Sequence, residues 1–177
     1  MQKSELRVTT TLGAFAVALD EERAPATCRY FRELAARGAL DGGGIFRITT
    51  AVDDVAHAIE IVQLGTRNGL DEVRTRIPHE STSQTGLAHR RWTASAARMA
   101  PGVVYGSMFI CMRDEPSLDE GGLRNEDGRG FAAFGEVVAG QDVLQAIFRR
   151  ARRDELLPDP IGIERVEIVG PGLERRR

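Results

Sequence analysis

The sequence predicts a mainly-β, antiparallel domain. Three observations carry that expectation. Apolar segments are short, about strand length, and are separated by glycine-rich or charged turns. Only two stretches repeat their apolar residues at helical spacing, and they lie far apart in the chain. No internal repeat and no long linker divides the 177 residues.

The elements follow in order. Leu6–Leu12 reads as a strand, Gly13-Ala14 as a turn, and Phe15–Leu19 as an alternating second strand. Pro25-Ala26-Thr27 opens a helix, with Pro suited to a first turn and Thr27 as its cap. Cys28, Phe31, Leu34 and Ala35 form its apolar stripe, and Gly38 stops it. Asp41-Gly42-Gly43-Gly44 is a tight turn into the short strand Ile45–Ile48. Thr49–Ala58 is polar and fits no period, whereas Ile59–Gln63 is strand-like. Arg67–Ser83 reads as loop, broken by Pro78. Thr93–Ala97 is a strand of small residues. Met108–Met112 is an apolar strand buried on both faces. Asp119–Gly130 is a loop and Phe131–Val138 a strand. Asp142 caps a helix carrying Val143, Leu144, Ile147 and Phe148, and Ile161–Val169 closes the chain as a strand.

Composition narrows the classes. Hydrophobic residues make up 42% and charged residues 28%, an ordinary globular balance that excludes disordered and fibrous classes. Aromatics are only 6%, so the core rests on Val, Ile, Leu and Ala. A chain of this length buries roughly 70% of its unfolded surface, enough to fold alone. One domain over 1–177 is expected, with its core at about 5–170 and a frayed tail at 171–177. The net charge of −2 gives no pull toward nucleic acid or anionic membrane, and no apolar run reaches the ~20 residues of a membrane helix. Lys3 is the only lysine among 24 basic residues, the rest being arginine, which reads as genome composition rather than phosphate binding. Cys28 and Cys111 are too few for a disulfide framework or a thiolate metal site, so a reducing cytoplasm is the expected location.

The usual catalytic signatures are missing. The three histidines, His57, His79 and His89, lack metal-ligand spacing and read as surface or structural residues. Ser107 is not in a nucleophile elbow, and no carboxylate pair stands out as an acid–base couple. No metal and no cofactor are expected. Arg149–Arg153 and Arg175–Arg177 read as a solvated helix end and a frayed terminus. Arg47 is the one residue to flag unaided, a cation within an apolar strand after a glycine turn.

Read together, the segments resemble the cyclophilin-type peptidyl-prolyl cis–trans isomerases. Thr10-Thr11-Leu12-Gly13, Phe15–Leu19 and Pro25 match that family's opening hairpin and first helix. Ile45-Phe46-Arg47-Ile48 stands at its Phe-His-Arg-Val, and Gln63-Leu64-Gly65 at its Gln-Gly-Gly. Ser95-Ala96-Ala97-Arg98 resembles Ser-Met-Ala-Arg, and Ser107-Met108-Phe109-Ile110 is set against Ser-Gln-Phe-Phe. Leu118-Asp119 and Phe134-Gly135-Glu136-Val137-Val138-Ala139-Gly140 with Asp142-Val143-Leu144 complete the series.

The resemblance implies a closed eight-stranded antiparallel barrel capped by two helices. It implies an isomerase acting on X–Pro bonds and assisting protein folding, without cofactor, as a monomer whose partners are proline-containing peptides or unfolded client proteins. By the same likeness, Arg47 and Gln63 are catalytic. Arg47 donates to the prolyl region, and Gln63 bonds substrate backbone or holds Arg47. Glu60, Ile61, Ala97, Arg98, Met108, Ile110, Leu118 and Phe131 contact substrate. The chain departs from the family at that pocket. Glu60 replaces an aromatic, Met108 the glutamine, Ile110 the second phenylalanine, Ser117 an aromatic, and Phe131 a His or Tyr. A Glu60–Arg47 pair would consume the catalytic donor. The alternative reading is therefore a catalytically degenerate peptide- or protein-binding module on the same fold.

Overall fold

The computed structural model describes residues 3–51 and 57–170. Among the described residues, nine strands and three α-helices follow one another. They are β1 (Glu5–Thr10), β2 (Gly13–Leu19), α1 (Pro25–Ala36), β3 (Gly44–Thr49), β4 (Ile61–Gly65), β5 (Thr75–Arg76), α2 (Thr82–Thr85), β6 (Thr93–Ala100), β7 (Val103–Cys111), β8 (Ala132–Ala139), α3 (Gln141–Phe148) and β9 (Leu156–Val169). Eight strands run in the order β4-β3-β9-β1-β2-β8-β6-β7, and β7 returns to β4, so the antiparallel barrel closes. The two-residue β5 pairs with β7 outside this circuit. The expected fold is observed, with α1 and α3 as its two long helices and the single turn α2 added. No helix among the described residues is long and apolar enough to cross a membrane.

Alternation supplies the barrel core. Leu6, Val8, Phe15, Val17, Phe134 and Val166 point inward with almost no exposure. The stripe of α1 covers one end, where Phe31 stacks on Phe134 at 4.6 Å. Thr27 does not cap α1. Ala24 takes the cap position, and the donors find Glu80 instead. Its carboxylate accepts from the Ala26 and Thr27 amides, both at 2.9 Å, and from Thr27 Oγ1 at 2.7 Å. Nor does Asp142 cap α3; Gly140 holds that position, and Asp142 lies in the first turn, where a negative charge suits the helix dipole. The Gly42–Gly44 turn is confirmed by its crowding: a Cβ on Gly43 would stand 2.1 Å from the Gly65 carbonyl oxygen.

Three other expectations are refined. The Arg67–Ser83 region contains β5 and the start of α2, the latter with a Ser81–Gln84 capping box. β9 begins five residues before Ile161, through a Pro158/Pro160 stretch whose missing N–H groups disguise it in the sequence. The polar Thr49–Ala58 segment falls in large part, and the 171–177 tail wholly, outside the described residues.

Candidate active site

Cross-strand register builds the site. Arg47 on β3 pairs with Gln63 on β4, and Gln63 pairs with Phe109 on β7, so three neighbouring strands carry one row of side chains. The Arg47 side chain is 28% exposed. Its Nε and Nη2 donate to Glu155 Oε2 at 3.1 and 2.7 Å, and Nη1 donates to Gln63 Oε1 at 3.4 Å. Gln63 is buried. Its Nε2 donates to Tyr105 Oη and Ser107 Oγ, each at 3.0 Å, and Ser107 Oγ in turn donates to the Leu64 carbonyl at 2.9 Å. A carboxamide has two N–H donors, and both are taken. The Gln63 side-chain oxygen accepts from Arg47, the contact that a role in holding Arg47 requires.

Beside this row lies a second apolar cluster, separate from the barrel core. Ile59, Ile61, Ala97, Tyr105, Phe109, Cys111 and Leu118 form it, with Phe131 packed against them. Phe109 meets Phe131 edge-to-face at 5.3 Å. Ile61, Ala97, Leu118 and Phe131, four of the residues expected to contact substrate, therefore lie together. Burial pushes the Tyr105 hydroxyl above the usual tyrosine range and the Cys111 thiol well above its own.

Three of the residues expected to contact substrate lie away from this cluster. Met108 and Ile110 do not face the site; both point into the barrel with Val62 and Leu64. The site-facing residues of β7 are Tyr105, Ser107, Phe109 and Cys111. Side chains alternate with period two, so Phe109 and Cys111 share one face of β7 and Met108 and Ile110 the other. Phe109 brings an aromatic ring to the site face. Glu60 does not pair with Arg47 either. Alternation sends Ile59 and Ile61 into the cluster and Glu60 the other way, where its carboxylate lies 4.0 Å from Arg113 Nη1. Glu60 takes no part in the apolar site.

Arg98 has a different task from a groove cation. It is almost wholly buried, grips Asp127 with two hydrogen bonds of 2.9 Å, donates through Nε to the Gly130 carbonyl, and lies 4.9 Å from the Phe131 ring centroid. It ties the 119–130 loop to β6 and holds Phe131 in place. His89 plays a similar part beneath Phe109, whose ring it parallels at 6.1 Å. Its Nδ1 lies 2.7 Å from Asp119 Oδ1 and its Nε2 lies 2.8 Å from Ser95 Oγ. The three resemble a hydrolytic triad, but His89 and Ser95 are sealed from solvent, so the arrangement is structural. Burial opposes the Asp119 carboxylate, yet the hydrogen bonds from His89 hold its pKa below the usual range.

Sequence reasoning missed Tyr105, Ser107 and Phe109 as site residues, and it missed Glu155 entirely. For β7, alternation groups Tyr105, Ser107 and Phe109 on one face, but a strand buried on both sides does not say which face meets Arg47. For Glu155 there was no signal, because it comes 108 residues after Arg47.

A closed antiparallel barrel with an arginine and a buried glutamine beside an apolar patch defines the cyclophilin class of architecture. The family described as cyclophilin type peptidyl-prolyl cis-trans isomerase/CLD matches residues 5–168, and the chain belongs to that family. It is 27% identical over 173 residues to peptidyl-prolyl cis-trans isomerase cyp18 of Streptomyces antibioticus, covering 94% of this chain and 99% of that protein. It is 29% identical to peptidyl-prolyl cis-trans isomerase-like 1 of Aspergillus fumigatus, covering 93% and 95%. A cyclophilin type isomerase crystal structure from Cryptosporidium parvum shares the fold with a TM-score of 0.75 at 18% identity, covering 96% of this chain and 99% of that one. A second crystal structure of that protein, in the presence of the dipeptide Ala-Pro, gives a TM-score of 0.74, covering 94% and 99%.

Proposed function

We propose that this chain is a peptidyl-prolyl cis–trans isomerase acting on X–Pro bonds as a single domain, with Arg47 as its catalytic donor. The observation that carries the reading is the row Arg47–Gln63–Phe109 at the edge of the apolar cluster. Rotation about X–Pro is slow because the C–N bond is partly double. No covalent bond changes, so the site needs neither nucleophile nor metal. Arg47 retains a second N–H on each terminal nitrogen. A donor aimed at the prolyl nitrogen accelerates rotation because that nitrogen gains its lone pair only in the twisted state. Gln63, fixed by Tyr105 and Ser107, steers the guanidinium. Phe109, Ile61, Leu118 and Phe131 offer the surface for the proline ring, and Arg98 and His89 hold Phe109 and Phe131 rigid. Assistance to the folding of client proteins follows from such an activity, and the cysteine usage favours a cytoplasmic setting.

A second reading, a binding module with little catalysis, is favoured by two observations. Glu155 occupies Arg47, and the Gln63 amide protons are already paired. Magnetisation-exchange NMR on an Ala-Pro peptide separates them. The isomerase accelerates exchange, and Arg47→Ala removes most of the effect. Acceleration untouched by Arg47→Ala rejects the assigned role, whereas binding at Phe109 without acceleration supports the module.

A further inference from the structure

The Arg47–Glu155 contact is a feature of the site that the isomerase chemistry does not use. We infer that Glu155 is a tethered competitor for Arg47: its carboxylate occupies the guanidinium between turnovers and each X–Pro substrate must displace it. The inference rests on the isomerase reading above.

The backbone places Glu155 independently of its side chain. Its φ is 58°, a left-handed conformation that a non-glycine residue adopts only when its surroundings impose it. Its carbonyl accepts from the Ile48 amide at 2.9 Å, and its amide donates to the Arg152 carbonyl at 3.2 Å. The next residue, Leu156, is the register partner of Arg47 across the β3–β9 ladder. The carboxylate can thus leave Arg47 without leaving the site. It is 47% exposed, so release places it in water at little desolvation cost. Tethering keeps its local concentration high, and the pair re-forms when product departs.

The competition acts on the atoms that matter. Glu155 Oε2 takes Nε and one Nη2 proton, which is one edge of the guanidinium fork. It also sets a negative charge beside the cation whose field stabilises the lone pair of the twisted prolyl nitrogen. Both effects lower Arg47's capacity as a donor. Gln63 is no rival, since it is uncharged and holds a different nitrogen through a 3.4 Å contact.

Glu155→Gln keeps the shape and removes the charge, and Glu155→Ala removes the group. Exposed ion pairs shift equilibria by roughly twofold to fivefold, so kcat/KM on an Ala-Pro peptide is expected to rise by about that factor in both variants. Raising ionic strength should speed the unmutated protein and leave Glu155→Gln unchanged, a response that a purely structural residue would not produce. Equal or slower turnover in both variants overturns the inference and makes Glu155 a positioning residue for Arg47. If neither the unmutated protein nor the variants accelerate exchange, the isomerase reading falls and peptide titration decides the competitor. At least twofold tighter Ala-Pro peptide binding by Glu155→Gln then sustains it, and unchanged or weaker binding rejects it.

Discussion

Replacing Gln63 by leucine separates a residue that holds Arg47 from one that binds substrate. The side chain is 3% exposed and donates two hydrogen bonds of 3.0 Å to the Tyr105 and Ser107 hydroxyls. Leucine fills a similar volume but donates nothing. Each buried hydrogen bond contributes about 1 kcal/mol, and leaving hydroxyls short of a donor adds to that, so the loss should be about 2–3 kcal/mol. For a domain of this size that corresponds to a fall in Tm of roughly 5–10 °C. The link to Arg47 is longer, at 3.4 Å, and acts only through orientation. Its loss should lower kcat/KM by no more than about fivefold, the equivalent of about 1 kcal/mol. Urea denaturation and magnetisation-exchange NMR on the same samples read the two effects. A stability loss below about 1 kcal/mol together with a rate loss above about 100-fold would refute the reasoning, because direct transition-state donors show losses of that size.

Three further outcomes follow from the same geometry. Glu80→Ala should cost about 2 kcal/mol in urea denaturation, since it strips three hydrogen bonds from the start of α1, whereas Glu80→Gln should cost less because it retains an acceptor. Asp20 is held at about 2, chiefly by its hydrogen bond from Arg23 and further by Lys3. A lowered carboxylate stabilises the fold above its unfolded pKa of 3.8, and that contribution is lost as pH falls through about 2. The stability gap between the unmutated protein and Asp20→Asn should therefore be full near neutrality, shrink between about pH 4 and pH 2, and disappear below; a gap independent of pH would contradict the pairing. Cys28 and Cys111 are free and buried, the Cys28 thiol pushed up to about 12 by burial, so neither should react with a disulfide reagent until urea unfolds the barrel.

Much of this molecule was legible residue by residue. Alternation in Phe15–Leu19, the apolar stretch Phe131–Val138, helical spacing in Cys28–Ala35, and the glycine turn before Ile45 each encode their element locally. The ordered segments around Arg47, Gln63 and Phe134 were enough to indicate the family. Met108–Met112 was legible as a strand buried on both sides, and Phe109 and Cys111 do face one apolar cluster while Met108 and Ile110 face the other.

The sequence by itself therefore determined most of the strands and, through its resemblance to the family, the barrel and the arginine and glutamine at its edge. Only the tertiary structure decided which face of β7 meets them, because a strand buried on both sides carries no polar mark to set its register. It also decided their partners. Glu80 serves α1 across more than fifty residues, and Glu155 reaches Arg47 across 108. The second pair is made by the closing of the barrel, which brings β9 beside β3. Short-range periodicity has no access to either pair, since a carboxylate on a turn looks the same whether it faces water or a catalytic cation.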